Sequence, residues 1–382
     1  MKAKVIRPVL KILLIVVIAA VVIVGGYVAY VVLTYERIAD NEQLEVNAGG
    51  NEDLPALTTG SEYTALTYNI GFGAYDHDFS FFMDEGTMAD GTETVGTESR
   101  AASEAAVVRN TEACMEAALA EKPDILLFQE VDVKADRSYK VDQRETILGA
   151  METSYAWTFA SNFHSAYLFY PPTKPIGKIA ESGLLTVSRF GITDAVRRSY
   201  PVSDAFPTKF FDLDRCFAVQ RLPVEGASGG ELVLINTHMS AYDEGGTIRR
   251  AQMELLGGVI ADEYAKGNWV IVGGDFNHAL GGSESKFMNG MKTPAWVQSF
   301  DEGQLPEHCR MVIAENNDSV ATDRDSSIPY EKGVNYEVTL DGFIVTDNVE
   351  ASSVNIDADY VGSDHNPVKL TFKLLSGAAA GA

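Results

Sequence analysis

Trp269-Val-Ile-Val-Gly-Gly-Asp-Phe-Asn-His278 is the stretch that decides how this chain is read. Its short apolar run bounded by glycine predicts a fully buried strand. The two glycines let the backbone turn sharply, and Asp275 and Asn277 follow at the strand's end. Their spacing of two puts both side chains on one side of an extended segment. A carboxylate and a carboxamide converging at the mouth of a sheet suit a hard cation with a water beside it. An ordinary Asp-x-Asn turn would have the same sequence, and the other strand ends distinguish the two.

Those ends carry the same chemistry. Tyr63-Thr-Ala-Leu-Thr-Tyr-Asn-Ile70 alternates as a strand and delivers Asn69. Asp124-Ile-Leu-Leu-Phe-Gln-Glu-Val131 is a buried strand ending in Gln129 and Glu130, and a carboxylate there is costly unless it is paired or binds a metal. Glu231-Leu-Val-Leu-Ile-Asn-Thr-His238 brings Asn236 and His238 to one face. Tyr336 to Thr346 reads as one strand with Asp341 in its middle, and Gly362-Ser-Asp-His-Asn-Pro367 places Asp364 and His365 just before the last strand, 368–374. Helices are expected over 98–121 and 247–266, the second closing a βαβ unit with the strands on either side. The acidic insert 76–99 is expected to be a surface loop whose Asp76-His77-Asp78 is solvated. The aromatic and proline-rich stretch from Trp157 to Gly183, with Phe159, Phe163, His164, Tyr167, Phe169 and Tyr170, is either a rim over the site or packed filler.

The ends of the chain set its location. Residues 12–34 carry no charge, and 23 residues at 1.5 Å each reach about 35 Å, enough to cross a hydrocarbon core. Lys2, Lys4, Arg7 and Lys11 precede the run, which places the N-terminus in the cytoplasm and the rest outside the cell membrane. The bulky end of the run, Val31-Val-Leu-Thr34, favours an uncleaved anchor over a signal peptide. The expected organisation is a basic N-terminus (1–11), a transmembrane helix (12–34), an acidic flexible tether (35–61), a catalytic domain (62–374) and a low-complexity tail (375–382). Beyond the apolar run, 54 acidic and 26 basic side chains leave a net charge of −28. That field repels a polyphosphate backbone at long range and argues against a non-specific nucleic-acid binder. Cys114, Cys216 and Cys309 are far apart and define no disulfide framework.

Taken in order, Thr67-Tyr-Asn-Ile-Gly, Leu127-Phe-Gln-Glu, Asn236-Thr-His, Gly274-Asp-Phe-Asn, Leu340-Asp-Gly-Phe and Gly362-Ser-Asp-His-Asn-Pro resemble the motifs of the endonuclease/exonuclease/phosphatase superfamily. The resemblance spans about 63–374. It implies an α/β fold, a four-layer α/β/β/α sandwich of two packed mixed sheets with a site at one edge. It also implies that Glu130, assisted by Asn69 and Asp364, holds Mg²⁺ or Mn²⁺. By the same resemblance Asp275 orients or activates the attacking water and Asn277 holds a phosphoryl oxygen. His365 pairs with Asp341, and His238 donates a hydrogen bond or proton to the phosphate. In-line attack on a phosphoester builds charge that a divalent cation and an imidazole can accommodate, so the residue types suit the chemistry.

The fold leaves the substrate open. The acidic domain and the membrane anchor favour a metal-dependent phosphoesterase acting on phospholipid or a small phosphoester. An extracellular Mg²⁺-dependent nuclease and a non-catalytic binding module on the same fold are the alternatives. The pairs Arg197-Arg198 and Arg249-Arg250 are expected to be solvated faces rather than a nucleic-acid groove, and no obligate protein partner is legible.

Overall fold

The computed structural model describes residues 2–48, 53–151, 154–164, 171, 175, 181–206, 208–210, 213–226, 230–241, 246–287 and 290–376. Tyr167, Phe169 and Tyr170 of the aromatic stretch and the tail 377–382 lie outside them. In chain order the first elements are α1 (Lys2–Thr34), β1 (Glu42–Gln43), β2 (Leu57–Thr58), β3 (Glu62–Asn69), β4 (Glu85–Thr87), β5 (Glu93–Val95) and α2 (Glu104–Ala120). There follow β6 (Ile125–Asp132), α3 (Gln143–Ala150), β7 (Ala156–His164), β8 (Glu181–Ser188), β9 (Asp194–Ser199) and β10 (Cys216–Glu225). The chain continues with β11 (Glu231–His238), α4 (Thr247–Ala265), β12 (Trp269–Asp275), β13 (Cys309–Val312), β14 (Asp323–Arg324), β15 (Glu337–Val338), β16 (Asp341–Thr346), β17 (Val349–Asn355) and β18 (Val368–Leu374).

Two mixed sheets carry the fold. One runs β1-β9-β10-β11-β12-β16-β13 with β2 beside β10; the other runs β17-β18-β3-β6-β8-β7. The parallel pairs β11–β12 and β3–β6 sit near the centre of each. Alternation along a strand decides which side chains face which layer. Ile125 and Leu127 of β6 meet Leu232, Leu234 and Ile271 between the sheets. Their neighbours Leu126 and Phe128 face outward onto Cys114 and Met115 of α2 and Ile147 of α3. On the other sheet Val270 and Val272 face Met253, Leu256 and Ile260 of α4. These are the expected four layers, and strands covered on both faces read as continuous apolar runs for that reason.

Several details differ from expectation. The first helix of the domain starts at Glu104 rather than 98, because Ser103 caps it by accepting from the Ala106 N–H at 3.1 Å. The 336–346 stretch is two strands. Asp341 opens β16 instead of lying mid-strand, since Thr322 Oγ1 takes the N–H groups of Leu340 and Asp341. The insert 76–99 holds the β4–β5 hairpin, and Phe79 and Phe81 pack edge-on with Phe72. The described parts of 35–61 are tied down: β1 pairs with β9 and β2 with β10, burying Leu44 and Leu57, and Asn47 bridges to Trp157. Arg197 and Arg249 are buried rather than solvated. Arg197 spans the Ser161, Ala39 and Asp214 carbonyls, and Arg249 bonds the Asn277 and Trp296 carbonyls. The three cysteines are free.

The glycine pair of the deciding stretch has a packing role as well as a turning one. A β-carbon at Gly273 would press on Phe343 of the neighbouring strand β16 and on Leu127 of the facing sheet, and one at Gly274 would collide with the Thr237 carbonyl. Gly274→Ala is therefore expected to destabilise the protein by about 2–3 kcal/mol in urea unfolding, through overpacking against main chain that cannot yield. A change within experimental error would show that the β11–β12 contact is slack.

Candidate active site

The parallel pairing of β11 with β12 sets His238 opposite Asp275, and the antiparallel pairing of β12 with β16 sets Asp275 opposite Asp341. In the other sheet β3 and β6 run parallel, so Asn69 and Glu130 emerge at the same edge. The turn before β18 brings Asp364 and His365 there too. Ser363 anchors that turn: its hydroxyl donates to the Asn69 carbonyl at 2.7 Å and accepts from the His365 N–H at 3.1 Å. All eight residues singled out in the sequence thus reach one edge of the sandwich. Just beneath them Gln129 Nε2 donates to Asn236 Oδ1 at 2.8 Å, and Asn236 donates to the Phe128 and Leu185 carbonyls, stapling sheet to sheet.

Two site residues hold left-handed backbone. Glu130 has φ 55° at a bulge in β6, and Asn277 has φ 50° just after β12. Such conformations cost roughly 1–3 kcal/mol outside glycine and persist where surrounding contacts impose them. The bulge turns Glu130 outward to the mouth of the site, where its side chain is 22% exposed. Asn277 is fixed by its N–H donating to Asp275 Oδ1 at 2.9 Å, its Nδ2 donating to the Met239 carbonyl at 2.9 Å, and Arg249 on its own carbonyl.

Asn69 is the hub of the polar contacts. Its Nδ2 lies 3.2 Å from Asp275 Oδ2, 3.5 Å from Glu130 Oε1 and 3.3 Å from His365 Nε2, while its Oδ1 accepts from the Gly71 N–H at 3.0 Å. His365 Nδ1 donates to Asp341 Oδ2 at 2.8 Å, and its Nε2 lies 3.3 Å from Asp323 Oδ1 and 3.8 Å from Asp275 Oδ2. His238 Nε2 stands 3.4 Å from Asp275 Oδ2 and 4.0 Å from Glu130 Oε1. The Asp76-His77-Asp78 triplet does not join them: His77 Nε2 contacts the Asp359 carbonyl at 2.7 Å.

The two histidines are driven apart. Burial depresses the His238 pKa well below 6.5, and the positive charges of Arg215, His365 and Arg137 add to this, so it is neutral at pH 7. Burial opposes charging of His365 as well, but Asp341 and Asp323 outweigh it and hold the imidazole protonated. One ring is therefore a neutral hydrogen-bond donor and the other a resident cation. The carboxyls move upward. Burial, aided by Asp341, raises Asp275 to about 6; burial, aided by Glu130, raises Asp364 to about 7; and Asp323 rises well above its usual value for the same first reason.

Two functional residues escape the sequence analysis. Asp323 sits in the polar stretch Thr322-Asp-Arg-Asp325, which has no apolar strand to mark it, and reaches the site through a backbone bridge to His365. Arg215 immediately precedes β10 and is only 7% exposed, and its Nε and Nη1 have no hydrogen-bond partner among the described residues. A buried guanidinium beside His238 and Asp275 with unused donors is suited to an incoming oxyanion. The only sequence signal is a charge at the start of an apolar run.

The donor chemistry fits a hard divalent cation. Oxygen ligands from Glu130, Asp364, Asp275, Asp323 and Asp341 crowd one edge, with Asp275, Asp341 and His365 forming one close group and Asp323, Asp364 and His365 another. Carboxyls whose ionisation is resisted by burial and by one another are those a cation would stabilise in charged form.

Fold and site together define a phosphoric ester hydrolase of the two-sheet sandwich type. The chain belongs to the endonuclease/exonuclease/phosphatase family, whose model matches residues 66–365. Similar solved structures include TDP2 from C. elegans, with TM-score 0.52, 13% identity and coverage of 83% of this chain and 76% of that one. An endonuclease/exonuclease/phosphatase from Beutenbergia cavernae gives TM-score 0.52 at 15% identity, covering 84% and 73%. ANGEL2, a 2',3'-cyclic phosphatase, gives TM-score 0.51 at 13% identity, covering 87% and 98%. At these identities the likeness concerns the fold. No curated protein sequence matches the chain.

Two outcomes are expected. The folded-state pKa values of Asp275 and Asp364, about 6 and about 7, lie above the usual 3.8, so the metal-free protein binds extra protons when folded. That contribution to stability is complete below pH 3.8 and is lost as pH rises through 7. The Mg²⁺-induced rise in Tm over EDTA should consequently grow from about pH 5 to about pH 8 in differential scanning fluorimetry; a pH-independent shift would place the cation elsewhere. Arg215→Met removes a buried charge with two unused donors, so Tm should hold or rise while kcat/KM falls by about 10²-fold. A parallel loss of both would make Arg215 structural.

Proposed function

We propose that the protein is a membrane-tethered, extracytoplasmic phosphoesterase that uses Mg²⁺ or Mn²⁺ to hydrolyse a phosphodiester or phosphomonoester, with phospholipid headgroups or small phosphoesters as the favoured substrates. The observation that carries this is the convergence of Asn69, Glu130, His238, Asp275, Asn277, Asp341, Asp364 and His365 on one sheet edge, with the geometry given above. α1, apolar over Arg7–Thr34, is long enough to cross a membrane, and the four basic residues ahead of the uncharged run support an outward-facing domain. The remaining acidic excess disfavours a nucleic-acid strand as substrate.

In this reading Glu130 and Asp364 hold the cation, with Asn69 bracing Glu130. When bound there, the cation would supply positive charge for the phosphoryl and leaving oxygens. Asp275, whose oxygen lies among Asn69, His238 and His365, accepts the proton of the attacking water. Asn277, neutral His238 and Arg215 donate to the phosphoryl oxygens, and the charged His365, oriented by Asp341, faces the developing negative charge. Asp323 limits how far that charge is exposed.

The test uses the full chain in detergent micelles, since β1 and β2 lie ahead of residue 62 and belong to the sheet. Phospholipid vesicles and supercoiled plasmid are offered separately with Mg²⁺ or EDTA. Headgroup release that needs Mg²⁺ and drops by about 10³-fold in His365→Ala is expected. Plasmid nicking with intact lipid would make the protein a nuclease. Function unaffected by His365→Ala would point to a binding module.

A further inference from the structure

The loop joining β9 to β10 leaves the sheet at the same edge as the active site. Ser199 pairs with Cys216, Phe217 with Thr237, and His238 with Asp275, so this loop lies on the site's side of the sandwich. The end of α1 is docked against the same loop. Tyr35, the first residue after the helix, packs edge-on to Phe210 with centroids 5.0 Å apart, and Phe210 meets Phe206 at 5.7 Å. Lys209 Nζ stands 5.1 Å from the Tyr35 ring and 5.3 Å from that of Phe210. Arg37 pins the junction, with Nη1 on Asp214 Oδ1 at 2.8 Å and Nη2 on the Ser203 carbonyl at 3.1 Å. Asp214 directly precedes Arg215 of the site.

We propose that this cluster is a seat that docks the active-site edge of the domain into the interfacial layer of a phospholipid bilayer. The inference rests on reading α1 as a membrane span, and it deepens the lipid reading by presenting the site to headgroups. Three observations support it. Val31, inside the apolar run, is 9% exposed while Leu33 is 83% exposed, so one side of the helix's last turn is already covered. At 1.5 Å per residue, Val31 lies about 5 Å inside the end of the run, which puts the surface beside it at the depth where interfacial groups insert. Beyond α1, Phe206 is the most exposed large apolar side chain among the described residues, at 69%, and it lies in this cluster. Aromatic rings with a lysine ammonium over them are the side chains at home between headgroups and acyl chains. The Arg37 contacts replace a swinging tether by a fixed attachment.

The experiment compares single tryptophan additions in the full chain reconstituted into phosphatidylcholine vesicles that contain a lipid with a doxyl quencher near its headgroup or, in a second set, near mid-chain. Val17→Trp reports the span, Phe206→Trp the seat, and Glu225→Trp the opposite end of β10. Each is read as the emission added over the unmodified chain. Loss of the Phe206→Trp emission with headgroup-level quencher, with Glu225→Trp unaffected and Val17→Trp lost at mid-chain depth, is expected. Val17→Trp quenched while Phe206→Trp behaves like Glu225→Trp overturns the seat and leaves the anchor standing. Val17→Trp unquenched removes the anchor and the seat with it. None of these outcomes depends on catalysis, so failure of the phosphoesterase reading is separately visible.

Discussion

Carboxyl groups resist being taken out of water, and here Asp275, Asp323, Asp341 and Asp364 are held together at the edge of a sandwich with Glu130 at their mouth. Most of the surrounding architecture answers that one constraint. His365 lies between Asp341 and Asp323 and is kept charged by them; Asn69 spends its amide protons on Asp275 and Glu130. Ser363, Thr322 and Arg249 hold the turns that carry the acids by bonding main chain, and Ser363 Oγ also lies 3.4 Å from Asp364 Oδ1. The charge left over is the reason a divalent cation belongs in the functional reading.

The sheets make such crowding possible because they approach closely just below it. Gly273 and Gly274 leave room for Phe343, Leu127 and the Thr237 carbonyl, and Gln129 and Asn236 bond across the gap. Motif residues that look catalytic in one dimension therefore divide into two groups. Asp275 and Glu130 face the cleft, whereas Gln129 and Asn236 are a buried staple whose loss would splay the strand ends.

The polarity of the histidines follows from burial plus neighbours. His238 lies 3.4 Å from Asp275, yet burial is the largest influence on it and the charge of Arg215 acts in the same direction; His365 touches Asp341 at 2.8 Å, and the attraction of Asp341 and Asp323 together outweighs burial. Two imidazoles at one edge thus acquire different charge states, one neutral and one cationic, without any difference in local sequence that would announce it. The loop beside that edge also meets Tyr35 and Arg37, which follow α1.

What the sequence by itself determined is the set of strands and what stands at their ends. Buried strands are continuous apolar runs, and a polar residue at the end of such a run is conspicuous, which is why Asn69, Glu130, His238, Asp275 and Asn277 stand out in the sequence, whereas Asp341, Asp364 and His365 stand out through the order of the motifs that carry them. The apolar N-terminal run was legible for the same reason, since length and lack of charge are one-dimensional properties. Only the tertiary structure revealed Asp323 and Arg215, the burial of Arg197 and Arg249, and the fastening of 35–61 by β1 and β2. Each of these depends on contacts between residues far apart in the chain, such as Asp323 with His365 or Leu57 with β10, and no local periodicity encodes them. Charge states belong to the same category, because desolvation and neighbouring charge exist only once the chain has folded.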